Sequence, residues 1–223
     1  MFKAALFDMD GVIVDSEPLH HKAYYQMFDD VNIQVSDELY ASFTGQSTLE
    51  ICKQLIAHFK LPLGPQTLVD IKRYHFKQLF DTDTSLELLD GVLDLIKDYH
   101  SHGMALVLAS SASMVNINRI FERFDLDQYF VAKISGADLK KSKPHPEIFE
   151  KAAELSGHMS KDCFVIEDST NGIAAAKAAG IYCIGYDSLH SEDQDYTKAD
   201  LVVSDFADIA YARLKMISAT TNA

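Results

Sequence analysis

The chain has 223 residues, of which 48% are hydrophobic and 24% are charged, and its formal net charge is −13. This composition is typical of a globular protein with a buried core, and it excludes a disordered or fibrous chain. The negative charge argues against a nucleic-acid or anionic-membrane partner, because both would be repelled at long range. A small anionic ligand is still compatible with it, since a bound cation can reverse the field inside one cleft.

Cysteine usage and the first residues bear on the compartment. Cys52, Cys163 and Cys183 are widely separated and form no C-x-x-C pair, which favours buried thiols in a reducing compartment. The apolar run before Asp8 is too short for a signal peptide, and no stretch is apolar for the roughly 18 residues that a membrane helix needs. We therefore expect a cytoplasmic protein with no membrane and no nucleic-acid partner. The sequence leaves the oligomeric state open, and a monomer is our working expectation.

The first predicted element is a buried strand over residues 4–7, an apolar run that stops at acidic residues and Gly11. Residues 15–85 then carry helical stripes, such as Ile51, Leu55 and Phe59, without a convincing strand. We interpret this stretch as a helical subdomain inserted after the first strand.

From about residue 92 onward, amphipathic helical stripes alternate with short apolar runs. These runs predict strands at 104–109, 163–166, 181–184 and 201–203. Strands that are apolar throughout and alternate with helices favour a mostly parallel sheet covered on both faces. We therefore predict an α/β fold, and such sheets bind ligands beyond the carboxyl ends of their strands.

Two acidic pairs follow two of the predicted strands. Asp8 and Asp10 are two positions apart, so in extended geometry their side chains project to the same side. Taken alone, they are equally compatible with aspartates of an ordinary turn. Glu167 and Asp168 end a second strand, and in one parallel sheet both pairs would meet at the same edge. Carboxylates gathered there would form a site for a hard cation such as Mg²⁺.

A hydroxyl and an ammonium occupy comparable places. Ser110 and Ser111 follow the strand at 104–109, and Lys143 follows the segment 131–134. Alone, Ser110 fits a helix N-cap and Lys143 fits a solvated loop cation. Together with a divalent ion, they would form a charge-matched cradle for a transferring phosphoryl group.

These residues resemble the motifs of the haloacid dehalogenase superfamily, and within it the β-phosphoglucomutase-like phosphatases with a helical cap. The four motifs appear in order and span nearly the whole chain, at residues 8–18, at Ser110, at Lys143 with Pro144, and at 166–169 followed by 171–180. The resemblance implies a Rossmann-like parallel core with a mobile cap. The corresponding boundaries are 1–14 and 86–217 for the core, 15–85 for the cap and 218–223 for a C-terminal tail.

The resemblance also implies roles for the motif residues. Asp8 would attack phosphorus and form an aspartyl-phosphate, and Asp10 would act as general acid and base. Mg²⁺ would be held by Asp8, by the backbone carbonyl of Asp10 and by Asp168, with Glu167 assisting. Ser110 and Lys143 would hold the phosphoryl oxygens.

Three further positions are expected to contact the phosphate or the substrate: Ser111, Gly45 and His20. Ser111 follows Ser110, and Gly45 lies in the loop that in the family faces the substrate from the cap. His20 matches a position near the cap hinge that can touch Asp10 or the substrate. A histidine on a helix is more often an ordinary face residue.

The sequence of the cap loop helps to distinguish a phosphatase from a phosphosugar mutase. β-Phosphoglucomutases carry Lys before the loop glycine and Arg a few residues after it, whereas here Thr44 and neutral residues flank Gly45. A mutase must hold a second phosphate there, and neutral side chains bind it far less strongly than Arg. We therefore predict a Mg²⁺-dependent phosphatase that acts on a small phosphorylated metabolite such as a sugar phosphate, whose hydroxyls Gln46, Ser47 and Thr48 could bind.

Three alternatives remain at this stage. A β-phosphoglucomutase is the first, because Lys53, Lys72, Arg73 or Lys77 could reach a second phosphate. A non-catalytic phospho-ligand sensor would be expected to have lost part of the catalytic set, which is complete here. A glycosidase would use paired carboxylates without a metal, but it would leave Lys143 without a role.

Overall fold

The computed structural model describes residues 1–187 and 194–221 and is built around one parallel sheet. Its strands are β1 (Ala4–Phe7), β2 (Ala105–Ser110), β3 (Ala132–Ser135), β4 (Cys163–Glu167), β5 (Tyr182–Tyr186) and β6 (Leu201–Val203). The strand order is β3-β2-β1-β4-β5-β6, and all neighbouring strands are parallel. The predicted α/β fold is confirmed, and each predicted strand overlaps an observed one.

Helices cover both faces of this sheet, which explains why the strands are apolar throughout. Ala5 and Phe7 of β1 point into one layer, while Ala4 and Leu6 point into the other, as the two-residue period of a strand requires. The first layer includes residues of α5 (Val92–Ser101), α6 (Met114–Arg123) and α9 (Tyr211–Thr221). The second includes residues of α7 (Glu147–Ser156) and α8 (Thr170–Ala178).

The predicted helical insertion lies between β1 and β2 and is also confirmed. It consists of α1 (Glu17–Asp30), α2 (Asp37–Ala41), α3 (Thr48–Phe59) and α4 (Pro65–Thr82). These helices enclose a separate apolar core that includes Met27, Leu55 and Leu68. Where the chain leaves and re-enters the sheet domain, the two connections are joined by a bridge between Val14 and Leu88. We call this insertion the cap.

The C-terminal boundary differs from the prediction. The helix α9 runs to Thr221, and the buried Ser218 accepts a hydrogen bond through Oγ from the backbone N–H of Phe2 at 3.1 Å. Residues 218–221 of the predicted C-terminal tail are thus part of this helix, and residues 222–223 lie outside the described residues. No helix in the described ranges is both long and apolar enough to cross a membrane.

The register of the central strands determines which side chains meet. Phe7, the last residue of β1, is paired with Leu108 of β2 and with Ile166 of β4. Since the three strands are parallel, the residues that follow these positions emerge at one edge of the sheet. This edge faces the cap and contains the candidate site.

Candidate active site

A cavity of about 460 Å³ lies between the carboxyl edge of the sheet and the cap, a volume in the usual range for small-molecule sites. Both parts of the protein line it. The core contributes Asp8, Asp10, Ser111, Asp168 and Gln194, and the cap contributes Glu17, His20, Tyr24, Tyr40, Phe43 and Gly45, among others.

Lys143 joins the two strand ends at the floor of this site. Its ammonium donates to Asp8 Oδ1 at 2.5 Å and to Glu167 Oε1 at 2.7 Å, and the residue is only 3% exposed. The other oxygen of Glu167 accepts hydrogen bonds from the N–H and the hydroxyl of Ser169 at 2.7 and 2.9 Å. Both oxygens of Glu167 are therefore engaged, and the carboxylate holds Lys143 against Asp8.

Burial dominates the electrostatics of these groups. It raises the pKa of Asp8 to about 7 against the attraction of Lys143, and the charges of Glu167 and Asp10 raise it further. Burial also raises the pKa of Asp168, reinforced by the charges of Glu167 and Asp8. For Lys143, burial opposes the charged form, but Asp8 and Glu167 outweigh it and raise the pKa. The site holds more negative than positive charge, so an added cation would be stabilised there.

The donor atoms present fit such a cation. Carboxylate oxygens of Asp8, Glu167 and Asp168 lie within 4.8 Å of one another, and oxygen is the ligand atom that Mg²⁺ prefers. The turn after β1 brings the backbone close to this group. Gly11 has φ +80°, and a Cβ at that position would lie 2.0 Å from Asp168 Oδ2. Glycine is therefore needed at this position for the turn to approach Asp168.

Asp10 has a separate set of partners. Its Oδ1 accepts a hydrogen bond from Ser16 Oγ and lies 3.5 Å from His20 Nε2. His20 Nδ1 lies 2.6 Å from the ammonium of Lys72. An ammonium can only donate, so Nδ1 accepts and the hydrogen of a neutral His20 is assigned to Nε2, which faces Asp10. Burial alone would raise the pKa of Asp10, but hydrogen bonds from His20 and Ser16 and the charge of Lys72 outweigh it and lower that pKa.

The position of Lys72 differs from the sequence-based interpretation. It is 1% exposed and lies over the rings of Tyr24 and Phe76, at 4.8 and 4.7 Å from their centroids. Burial lowers its pKa to about 8, against the attraction of Asp10 and Glu17. The cations considered for a second phosphate were Lys53, Lys72, Arg73 and Lys77, and none is among the described residues that line the cavity.

Ser110 is fully buried at the end of β2, where its hydroxyl accepts a hydrogen bond from the N–H of Ala112 at 3.0 Å. The N-cap of α6 is Ser113, so Ser110 does not cap this helix, the role that its position in the sequence had also suggested. Ser111 lines the cavity and donates to the carbonyl oxygen of Gly45 at 3.0 Å. The structure thus brings Ser111 and Gly45 together at the cavity wall.

Two further hydrogen bonds join the cap loop to the core. Asn171 Nδ2 donates to the carbonyl oxygen of Thr44 at 2.7 Å, and Ser142 Oγ donates to Ser47 Oγ at 2.6 Å. The core partners lie next to predicted motif residues, since Ser142 precedes Lys143 and Asn171 belongs to the fourth motif. The cap loop is therefore held on the loops that carry the candidate catalytic groups.

The loop side chains have other partners than the sugar hydroxyls we considered. Gln46 donates to the carbonyl of Ser42 at 2.8 Å and accepts from Gln54 at 2.6 Å. Ser47 accepts from Ser142 and from the N–H of Glu50, at the start of α3. Gln46 and Ser47 thus have partners within the protein, while Gln46 and Thr48 are among the residues that line the cavity.

Among the cavity residues that sequence reasoning missed are Glu17, Tyr40 and Gln194. Glu17 accepts a hydrogen bond from the Tyr40 hydroxyl at 2.9 Å, and Gln194 accepts one from the N–H of Thr170 at 2.8 Å. Glu17 lies within the first motif, and this position could have identified it as a candidate site residue. Tyr40 and Gln194 lie in no motif, and only the packing of the cap and the loop after β5 brings them to the cavity.

Comparison with known proteins agrees with this geometry. A model of the haloacid dehalogenase-like hydrolase family matches residues 5–186. The β-phosphoglucomutase of Bacillus subtilis is 30% identical over 212 residues, which are 93% of this chain and 91% of that protein. Hexitol phosphatase B of Escherichia coli is 27% identical over 207 residues, covering 92% of this chain and 93% of that protein.

A solved structure extends the similarity to the whole fold. The crystal structure of CbbY from Rhodobacter sphaeroides in complex with phosphate has a TM-score of 0.86 and 26% sequence identity, and the match covers 96% of this chain and 100% of that one. A second structure of CbbY, a mutant, is in complex with xylulose-(1,5)bisphosphate.

Proposed function

This chain belongs to the haloacid dehalogenase-like hydrolase family, and we propose that it is a Mg²⁺-dependent phosphatase that hydrolyses a small sugar or polyol phosphate through an aspartyl-phosphate on Asp8. The observation that carries the proposal is the contact of Lys143 with both Asp8 and Glu167 beside the cavity between core and cap. The similarity to a hexitol phosphatase supports the substrate class.

In the first step, Asp8 attacks phosphorus and the ester oxygen leaves. Lys143 orients the Asp8 carboxylate and favours its ionised form, which is the nucleophilic one. Asp8, the backbone carbonyl of Asp10 and Asp168 would hold Mg²⁺. The bound ion supplies positive charge that offsets the charge of the phosphoryl oxygens and favours the ionised form of Asp8.

Asp10 supplies the proton chemistry. It donates a proton to the leaving oxygen, and it then accepts a proton from the water that hydrolyses the aspartyl-phosphate. Ser16 and His20 contact its carboxylate, whereas Lys143 contacts Asp8, so the nucleophile and the acid/base have separate contact partners. This separation supports different roles for two carboxylates that are two positions apart.

Water is favoured over a sugar hydroxyl as the final acceptor. The lining residues of the cavity within the described ranges include no Lys or Arg, so the cap offers little binding for a second phosphate. The 30% identity with a β-phosphoglucomutase keeps a mutase as the second candidate. Incubation with β-glucose 1-phosphate and a catalytic amount of the bisphosphate separates the two, because a mutase yields glucose 6-phosphate without free phosphate.

The proposal is tested by a phosphate-release screen over sugar phosphates, polyol phosphates, nucleotides and pyrophosphate. We expect Mg²⁺-dependent release that EDTA abolishes, and a loss of more than about a thousandfold in Asp8→Asn, as is usual when a nucleophile is removed. Asp94→Asn on the exposed side of α5 is the matched control and should keep the wild-type rate. Equal trace rates in the wild type and Asp8→Asn would refute the enzyme.

A further inference from the structure

Glu17 is a charged side chain of the cap that lines the cavity. Tyr40 donates its hydroxyl hydrogen to Glu17 Oε1 at 2.9 Å and thereby links α2 to the start of α1. Burial raises the pKa of Tyr40, and the charge of Glu17 adds to the effect, so the hydroxyl keeps its proton and acts as donor. Among the described residues, the Tyr40 hydroxyl is the one hydrogen-bond donor to the Glu17 carboxylate. It contacts Oε1, and Oε2 of Glu17 accepts no hydrogen bond from these residues.

The charges near Glu17 leave the cap side of the cavity negative. His20 is the one basic side chain among the lining residues that the structure describes. Lys72 attracts Glu17, but the same ammonium also attracts Asp10 and is buried over two aromatic rings. One ammonium thus faces two carboxylates. Lys143 contacts Asp8 and Glu167 at the phosphoryl end and does not offset this charge.

The remaining cap groups at the cavity are aromatic or neutral. Tyr24 and Phe43 offer ring surfaces, and Thr44 and Thr48 are uncharged. A carboxylate accepts hydrogen bonds from hydroxyl groups. An ionised second phosphate or carboxylate on the ligand has no hydrogen to donate to Glu17. Its negative charge and that of Glu17 also repel each other.

We infer that Glu17, positioned by Tyr40, determines substrate charge: it selects phosphomonoesters of uncharged polyols and rejects esters that carry a second anionic group. The inference rests on the proposed phosphatase function and specifies the substrate class of the same site. It gives Glu17 a role in binding the alcohol part, while Asp8 and Asp10 act at phosphorus. Tyr40 is a positioning residue that acts through Glu17.

Two probes of nearly identical shape test this inference. Glucitol 6-phosphate and 6-phosphogluconate differ only at the carbon farthest from the phosphate, which carries a hydroxyl in the first and a carboxylate in the second. Their affinities are measured by calorimetry with Mg²⁺ on Asp8→Asn protein, which is not expected to consume them. This parent protein is expected to prefer glucitol 6-phosphate by about tenfold or more, given the repulsion between like charges at short range.

Three variants in the same background locate the effect. Glu17→Gln should reduce the preference to within about threefold, since it keeps the shape and removes the charge. Glu50→Gln removes a cap carboxylate that pairs with Lys53 and does not line the cavity, so it controls for net charge and should leave the preference unchanged. Tyr40→Phe keeps the charge but releases the carboxylate, and its preference should be intermediate.

Each outcome decides the inference. It is overturned if the parent binds both probes equally, if the parent binds neither, or if Glu17→Gln keeps the full preference. The parent measurement decides it even if Glu17→Gln does not fold, which thermal unfolding reports. Failure of the proposed function is seen separately, as an absence of Asp8-dependent phosphate release from any ester. Hydrolysis of an anionic ester in preference to a polyol phosphate would overturn only the role of Glu17.

Discussion

The ammonium of Lys72 lies 2.6 Å from Nδ1 of His20, although the two residues are 52 positions apart on different cap helices. His20 Nε2 lies in turn 3.5 Å from Asp10 Oδ1. A charge buried in the cap is therefore coupled through one imidazole to the proposed acid/base at the edge of the sheet. In the proposed function, we therefore expect the cap to contribute to the proton chemistry at Asp10.

Lys72→Met is expected to lower kcat by about 10- to 100-fold, the usual range for removal of a group that orients a functional side chain. Because Lys72 lowers the pKa of Asp10, its removal should move the apparent pKa of Asp10 in the pH profile of kcat/KM to higher pH. The matched control is Lys77→Met on the same helix, where the lysine is exposed and paired with Asp81. A variant with lower kcat but an unchanged pH profile would contradict the coupling.

The stability of the cation-free protein should depend on the ionisation of Asp8. Burial raises the pKa of Asp8 to about 7 from 3.8, so between these values the folded protein binds more protons than the unfolded chain. The contribution of Asp8 to stability is therefore greatest below about pH 4 and is lost as the pH rises through about 7. Asp8→Asn lacks this group, and its stability advantage should grow between about pH 5 and pH 7.5 by up to about 3 kcal/mol.

Thermal and urea unfolding in EDTA measure this difference. Asp94→Asn, which removes an exposed carboxylate from α5, should follow the wild-type dependence on pH. If Asp8→Asn and the wild type showed parallel curves across this range, the buried carboxylate would not be the group that titrates.

The strands and the edge that carries the site could be predicted because both depend on local patterns. Apolar runs predicted every strand except β3, whose segment contains Lys133, and the parallel topology brings the carboxyl ends of the strands together. Part of the error in the strand bounds arises because backbone pairing continues into polar residues. Ser135 and Glu167 are polar, yet backbone pairing includes them as the last residues of β3 and β4.

The contacts across the cap could not be predicted, because they depend on how helices pack. Lys72 looked like a surface cation for a second phosphate, and only the packing of α4 against α1 buries it beside His20. Gln46 looked available to a sugar, yet its amide bonds to Ser42 and Gln54. Glu17 could be noticed as part of a motif, but its partner Tyr40 could not.

Gly172 should be required for the position of Glu167. A Cβ on this residue would lie 1.7 Å from Glu167 Oε1, and Glu167 is held by Lys143 and Ser169. Gly172→Ala should therefore lower the free energy of unfolding by about 1–3 kcal/mol through overpacking and also reduce kcat by displacing Lys143. Gly64→Ala is the control, since no atom lies within 4 Å of a Cβ there, and it should unfold like the wild type.

Asn171 should contribute to closure of the cap. Its side-chain amide donates to the carbonyl of Thr44 at 2.7 Å and is one of the hydrogen bonds that join the cap loop to the core. Removing a hydrogen bond of this kind costs about 1 kcal/mol, so Asn171→Ala should reduce kcat/KM by about fivefold if the closed cap is the reactive state.

The control is Asn118→Ala, at an exposed position of α6, which should leave kcat/KM unchanged. Asn171 contacts Thr44 and not Asp10, so Asn171→Ala should retain the wild-type pH profile, which distinguishes it from Lys72→Met. A wild-type kcat/KM in Asn171→Ala would mean that this hydrogen bond does not contribute to the reactive state.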